Sequence, residues 1–128
     1  MEKLIRDKIH LNPHTDYQNM QIRNVDNVIE HIGFLIKKIR EETLEFEKAE
    51  GNNKVTEAGD LLEVYDTLID LYEITHNQIE REKSIHSRET LLETIHNIGI
   101  SVDLVLKTQE TKRIEKGGFR NGIVWIYN

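Results

Sequence analysis

At 128 residues, 38% of them hydrophobic and 31% charged, the chain has the length of one domain, residues 1–128, with a core shallow enough for oligomerisation to complete it. The absence of cysteine excludes a disulfide framework and thiolate metal ligands and favours a reducing compartment. A net charge of −6 disfavours general nucleic-acid binding, and no apolar run approaches the ~20 residues of a membrane span. Since "MEKLIRDKIH" also lacks the apolar region of a leader, a cytoplasmic protein with neither nucleic-acid nor membrane partners is expected.

Residues 1–24 hold the only proline, Pro13, and little periodicity after Ile9, which predicts a short element and then a loop. From about Val25 to Glu50, Val28, Ile32, Leu35, Ile39 and Phe46 recur at helical spacing, with Asp26 or Asn27 as cap and Gly51 as stop. "GNNK" predicts a tight helix–helix turn. A second helix follows from Val55 or Thr56 to about His76, and its middle, "LLEVYDTLIDLY", is apolar on more than one side, as suits burial between neighbours. Residues 77–87, "NQIEREKSIHS", fit either a break or a continued helix. "SRETLLETIHNIG" predicts a third helix; "SVDLVLKTQETKRIEKGG" predicts a fourth, capped by Ser101 and stopped by Gly117 and Gly118. The tail, "GFRNGIVWIYN", is β-like in composition and predicts an extended arm. The expected fold class is all-α: an antiparallel bundle of about four helices with extended N- and C-terminal arms.

Charge is unevenly placed along this frame. From Glu41 to Glu73 eleven Asp and Glu stand against two Lys, a balance of −9, while from Lys107 to Arg120 five Lys and Arg stand against two Glu, a balance of +3. Lys3, Arg6 and Lys8 make a second basic end. An acidic centre between basic ends suits an anionic substrate that arrives with a divalent cation.

Within that centre Glu42 and Glu45 are three apart, as are Glu57 and Asp60, which sets each pair about 60° apart around a helix axis, one turn above the other. Asn52, in the turn, lies ten residues after Glu42 and eight before Asp60, so an antiparallel helix pair brings the two motifs to similar heights. The stripe Val28, Ile32, Leu35, Ile39 continues onto Glu42; Leu68, Val64, Leu61 run backward onto Asp60 and Glu57. Four carboxylates therefore stand at the inward edge of two helices. Crowded there, they repel one another unless a cation is supplied, and an all-oxygen set without histidine is one that Mg²⁺ or Mn²⁺ prefers. Glu47, Glu50, Asp66 and Asp70 read as ordinary surface charges, and Glu41 neighbours the cluster while pointing partly away. The six histidines show no metal-ligand spacing.

The ordered segments "KLIRDKI" (Lys3 to Ile9), "EETLE" (Glu41 to Glu45), "EAGD" (Glu57 to Asp60) and "KGGF" (Lys116 to Phe119) together resemble the MazG-like all-α nucleoside triphosphate pyrophosphohydrolases, in their phosphoribosyl-ATP pyrophosphohydrolase-like branch. The hallmark of that superfamily is EExxE followed, after a short hairpin, by ExxD. The resemblance implies a helical bundle that assembles as a homodimer or homotetramer. It also implies Mg²⁺-dependent hydrolysis, with Mn²⁺ as substitute, of an NTP or dNTP between the α and β phosphates, giving a monophosphate and pyrophosphate in a nucleotide-pool house-cleaning role. Position by position it implies Glu42, Glu45, Glu57 and Asp60 as metal ligands, and Glu41, Glu42 and Glu45 as catalytic carboxylates, with Glu41 an auxiliary acid or base.

The leaving pyrophosphate needs cations. Arg6, Lys8, Lys116 and Arg120 from the basic ends are the candidates, with Lys38 one turn before Glu42. Gly117 and Gly118 suit backbone approach to a phosphate or a helix cap equally. Phe119, Trp125 and Tyr127 suit stacking on a base or, more commonly, core packing. Two departures from the family pattern leave the base pocket and the substrate open: His10 stands where a proline usually follows "RDKI", and the segment before "KGGF" is longer, around residues 77–98. Two other readings stand beside this one. The first is a non-catalytic helical dimerisation or regulatory module that binds nucleotide or a protein partner. The second is a ferritin-like metal protein, disfavoured by the lack of any ExxH.

Overall fold

The structure, a computed structural model, describes residues 1–11 and 20–128; Pro13 and the loop expected around it lie outside them. The elements are β1 (Glu2–Ile5), a 3₁₀ turn (Ile9–Leu11), β2 (Gln21–Asn24), α1 (Val28–Lys48), α2 (Asn52–Ile74), α3 (Gln78–Asn97), α4 (Val102–Lys116) and β3 (Ile123–Ile126). The chain is mostly helical, with four helices and a small three-stranded sheet.

Local side-chain chemistry decides where the helices begin. Asn27 is extended and its side chain accepts from the Glu30 N–H at 2.9 Å, so α1 starts three residues later than Val25. Asn77 does the same for Glu80 at 3.3 Å, which makes α3 one continuous helix through the ambiguous segment 77–87. Ser101 caps α4 through the Leu104 N–H at 3.2 Å, as expected. At the α1–α2 turn the Lys54 ammonium donates to the Phe46 carbonyl at 2.9 Å and sits 4.6 Å from the Phe46 ring centroid. That bond closes the last turn of α1, and α2 begins on the turn itself at Asn52.

α2 is the axis of the molecule and packs against α1, α3 and α4. One core cluster joins Leu35 of α1 to Val64, Leu68 and Tyr72 of α2; a second joins Phe46, Leu61 and Leu62 to Leu91, Ile95 and Val105. Leu35, Leu62, Ile95 and Val105 are fully buried, each contributing roughly 1.5–3 kcal/mol of transfer energy.

The two expected arms do not run separately. β3 lies between β1 and β2, antiparallel to both, with Leu4 opposite Val124 and Ile22 opposite Trp125. Leu4 and Val124 point into the first cluster, so the sheet closes one end of the helical core. The all-α expectation thus lacks a sheet whose strands are distant in sequence.

The motif at residues 6–8 clasps the one at 116–121. Asp7 N–H donates to the Gly118 carbonyl at 2.8 Å, Lys8 N–H to Lys116 at 3.0 Å, and the Asp7 carboxylate accepts from Asn121 N–H at 3.2 Å. His31 Nε2 lies 2.7 Å from the Phe119 carbonyl, which can only accept, so that nitrogen carries the proton. Gly117 ends α4 at φ 79°, and a Cβ there would stand 2.9 Å from the Asp7 Cβ. A Cβ on Gly118 would stand 2.6 Å from the Glu63 Oε1. Both glycines therefore serve the helix end and close packing. Among the described residues no helix is long and apolar enough to cross a membrane.

Candidate functional site

The inward positions on α1 and α2 bring Glu42, Glu57 and Asp60 together: one carboxylate oxygen from each lies within 4.8 Å of the other two. Asp60 is buried and the other two are half-buried. Burial, and then the charge of Asp60, push the Glu42 carboxyl up to about 7, with Lys38 partly offsetting them. Three oxygen donors this close, one of them reluctant to ionise, can hold a metal ion. Glu45, one turn beyond Glu42, is exposed and outside this group, and Glu41 is exposed as well.

Through Glu42 and Asp60 the triad borders a cavity of about 250 Å³ that carries both signs of charge. Glu42 and Asp60 are its acidic part; Arg6, Lys38, Lys112 and Lys116 are its basic part. Phe119 and Trp125 contribute apolar faces, and the Trp125 ring packs on Tyr127 at 4.5 Å between centroids. Phe119 is 2% exposed and belongs to the core.

The cations differ in how they are held. Arg6 is 5% exposed; its guanidinium donates to Asp60 Oδ1 at 2.6 Å and to the Gly117 carbonyl at 2.8 Å, and lies 5.0 Å from the Phe119 centroid. Lys38, 8% exposed, has its ammonium 5.3 Å from the centroid of the same ring, and it has no hydrogen-bond or ion-pair partner among the described residues. Burial, helped by repulsion from Lys3, pushes its pKa down. Glu42 and Glu41 oppose that shift from nearby without pairing with the ammonium directly.

Of the five cations the sequence proposed for phosphate, three line the cavity: Arg6, Lys38 and Lys116. Lys8 instead donates to the Ile114 carbonyl at 2.8 Å, neutralising the C-terminal end of α4. Arg120 pairs with Asp70. Two residues went unnoticed in the sequence. Lys112 lies 2.6 Å from Asp60 Oδ1 and 2.8 Å from Oδ2; its signal was its place one helical turn before Lys116 in the basic stretch. Glu63 is fully buried and binds Arg113 and Gln109; a glutamate inside "LLEVYD" marked it.

No family model matches the chain, and neither does any curated protein or solved structure.

Proposed function

We propose that the chain is a divalent-metal-dependent nucleoside triphosphate pyrophosphohydrolase that cleaves between the α and β phosphates. One observation carries this reading: a carboxylate triad able to hold a metal ion borders, through Glu42 and Asp60, a cavity lined by a buried ammonium that has no hydrogen-bond or ion-pair partner among the described residues. The order of the EETLE, EAGD and KGGF motifs supports the same class. Mg²⁺, with Mn²⁺ as substitute, fits the all-oxygen donor set, and when bound it supplies a polarised phosphoryl oxygen and an activated water.

In this reading Glu42, Glu57 and Asp60 hold the cation. Glu45 joins them from the next turn of α1, and Glu41 receives a proton from the attacking water. Arg6, Lys38 and Lys116 neutralise the pyrophosphate as the bridging P–O bond breaks. Trp125 offers a face to the base. The same reading carries a homodimer or homotetramer, for which Ile29 and Leu44 of α1, 78% and 53% exposed, supply apolar surface.

Pyrophosphate release from a panel of canonical and modified dNTPs tests it, in wild type and in Glu57→Gln, Asp60→Asn and Glu45→Ala. Turnover that survives in the first two variants sinks the ligand assignment. The rival, a non-catalytic helical module, draws on the two cations that already neutralise Asp60. A wild type inert toward every nucleotide favours it.

A further inference from the structure

We propose that Lys112 is a movable counter-ion: it stands on Asp60, and once a divalent cation takes that carboxylate it turns to the phosphates of the nucleotide. This role rests on the pyrophosphohydrolase reading and adds a residue and an order of events to it.

Asp60 Oδ1 lies 2.6 Å from both Arg6 and Lys112, yet the two cations have very different freedom. Arg6 is anchored three ways, by Asp60, by the Gly117 carbonyl and by the Phe119 ring, and has 5% of its surface exposed. It orients Asp60 and stays. The Lys112 ammonium bonds only the two Asp60 oxygens among the described residues, and its side chain is 24% exposed. The stem rises from α4 on the wall between the site cavity and a neighbouring one of about 300 Å³, so the ammonium has space to move into. Lysine suits this task, being a compact charge on a flexible stem, where arginine would grip the carboxylate with two prongs.

Charge balance supplies the drive. Asp60 alone already faces two cations, Arg6 and Lys112; a divalent ion adds two positive charges beside it, and Lys112 becomes surplus there. Lys38 and Lys116 already line the cavity beside it, so the released ammonium completes an anion site rather than entering solvent. By linkage, metal and nucleotide then strengthen each other's binding.

The test is a calorimetric titration of Mn²⁺ alone, without nucleotide, into wild type, Lys112→Met, Lys112→Arg and Lys107→Met. Lys107, exposed on the same helix, controls for general charge. Lys112→Met should bind Mn²⁺ about tenfold tighter, because a competing ion pair is gone, while its nucleotide KM rises about tenfold. Lys112→Arg should bind Mn²⁺ more weakly than wild type, and it decides the matter even if the Met variant fails to fold; Lys107→Met should match wild type. Unchanged or weaker Mn²⁺ binding in Lys112→Met, or equal tightening in Lys107→Met, overturns the counter-ion role. A wild type that binds Mn²⁺ and releases pyrophosphate alongside such a result keeps the broader reading; one that does neither removes both.

Discussion

Helix α2 carries two carboxylate clusters one turn apart, and they are held in opposite ways. Glu63 is the more buried, with no exposed surface, yet it is saturated: Arg113 donates through Nε at 3.0 Å and Nη2 at 2.8 Å, and Gln109 adds a bond at 3.0 Å. Gln109 also donates to Asp66 at 2.7 Å, and Arg88 of α3 reaches Asp66 at 2.6 Å, so this cluster ties α2 to α3 and α4. Around Asp60 the carboxylates are less buried but crowd each other, and Glu42 holds its proton to about pH 7. What separates a cross-link from a reactive site is thus the supply of counter-charge, with an open cavity beside it. Burial alone ranks the two clusters in the wrong order.

Substitutions that push the clusters in opposite directions test this contrast most strongly. Arg113→Met leaves the Glu63 carboxylate buried without its main partner, so stability to urea should fall by about 3–5 kcal/mol, with no recovery on adding Mg²⁺. A loss below about 1 kcal/mol would mean that Glu63 is neutralised some other way. Glu57→Gln should weaken Mn²⁺ binding by about a hundredfold in calorimetry, yet leave metal-free stability unchanged or higher, because it removes repulsion.

The pH dependence is a smaller effect with a defined sign. The Glu42 carboxyl is raised from 4.5 to about 7 in the folded chain. Between those values the folded chain keeps a proton that the unfolded chain has released, so metal-free stability falls as pH rises through that window and is highest below it. The melting temperature should drop by a few degrees from pH 5 to 8; Glu42→Gln should flatten the curve, and saturating Mg²⁺ should oppose the drop. The smallest effect expected is that of Ser101→Ala, which loosens the start of the helix serving both clusters. It should cost about 1 kcal/mol in a thermal melt and leave Mn²⁺ affinity unaltered. A change in affinity would show that α4 as a whole, rather than Lys112, governs the triad.

Much of the molecule was legible because its signals are local. The stripe of Val28, Ile32, Leu35 and Ile39 marks α1, and Ser101 with Gly117 brackets α4. Glu42, Glu57 and Asp60 stood where apolar residues should continue, and these three meet. Glu45 shows where that logic ends: about 60° around the axis from Glu42, it lies at the edge of the stripe, and spacing does not resolve which side of an edge a side chain takes. The start of α3 stayed open because polar residues after Asn77 hide the periodicity, although the asparagine cap was present.

The sequence by itself determined that there are four helices, the turn that pairs α1 with α2, and the inward place of Glu42, Glu57 and Asp60, since each follows from periods of a few residues. Tertiary structure decided which charges meet. Lys112 and Arg113 are neighbours about 100° apart on α4. The rotation of that helix on α2 sends the first to Asp60 and the second to Glu63. Lys8 and Arg120 were taken from the cavity by the Ile114 carbonyl and by Asp70, partners distant along the chain. The sheet joins β3 to strands near the opposite end of the chain, and closing so long a loop is favourable only once the helical core holds both ends together.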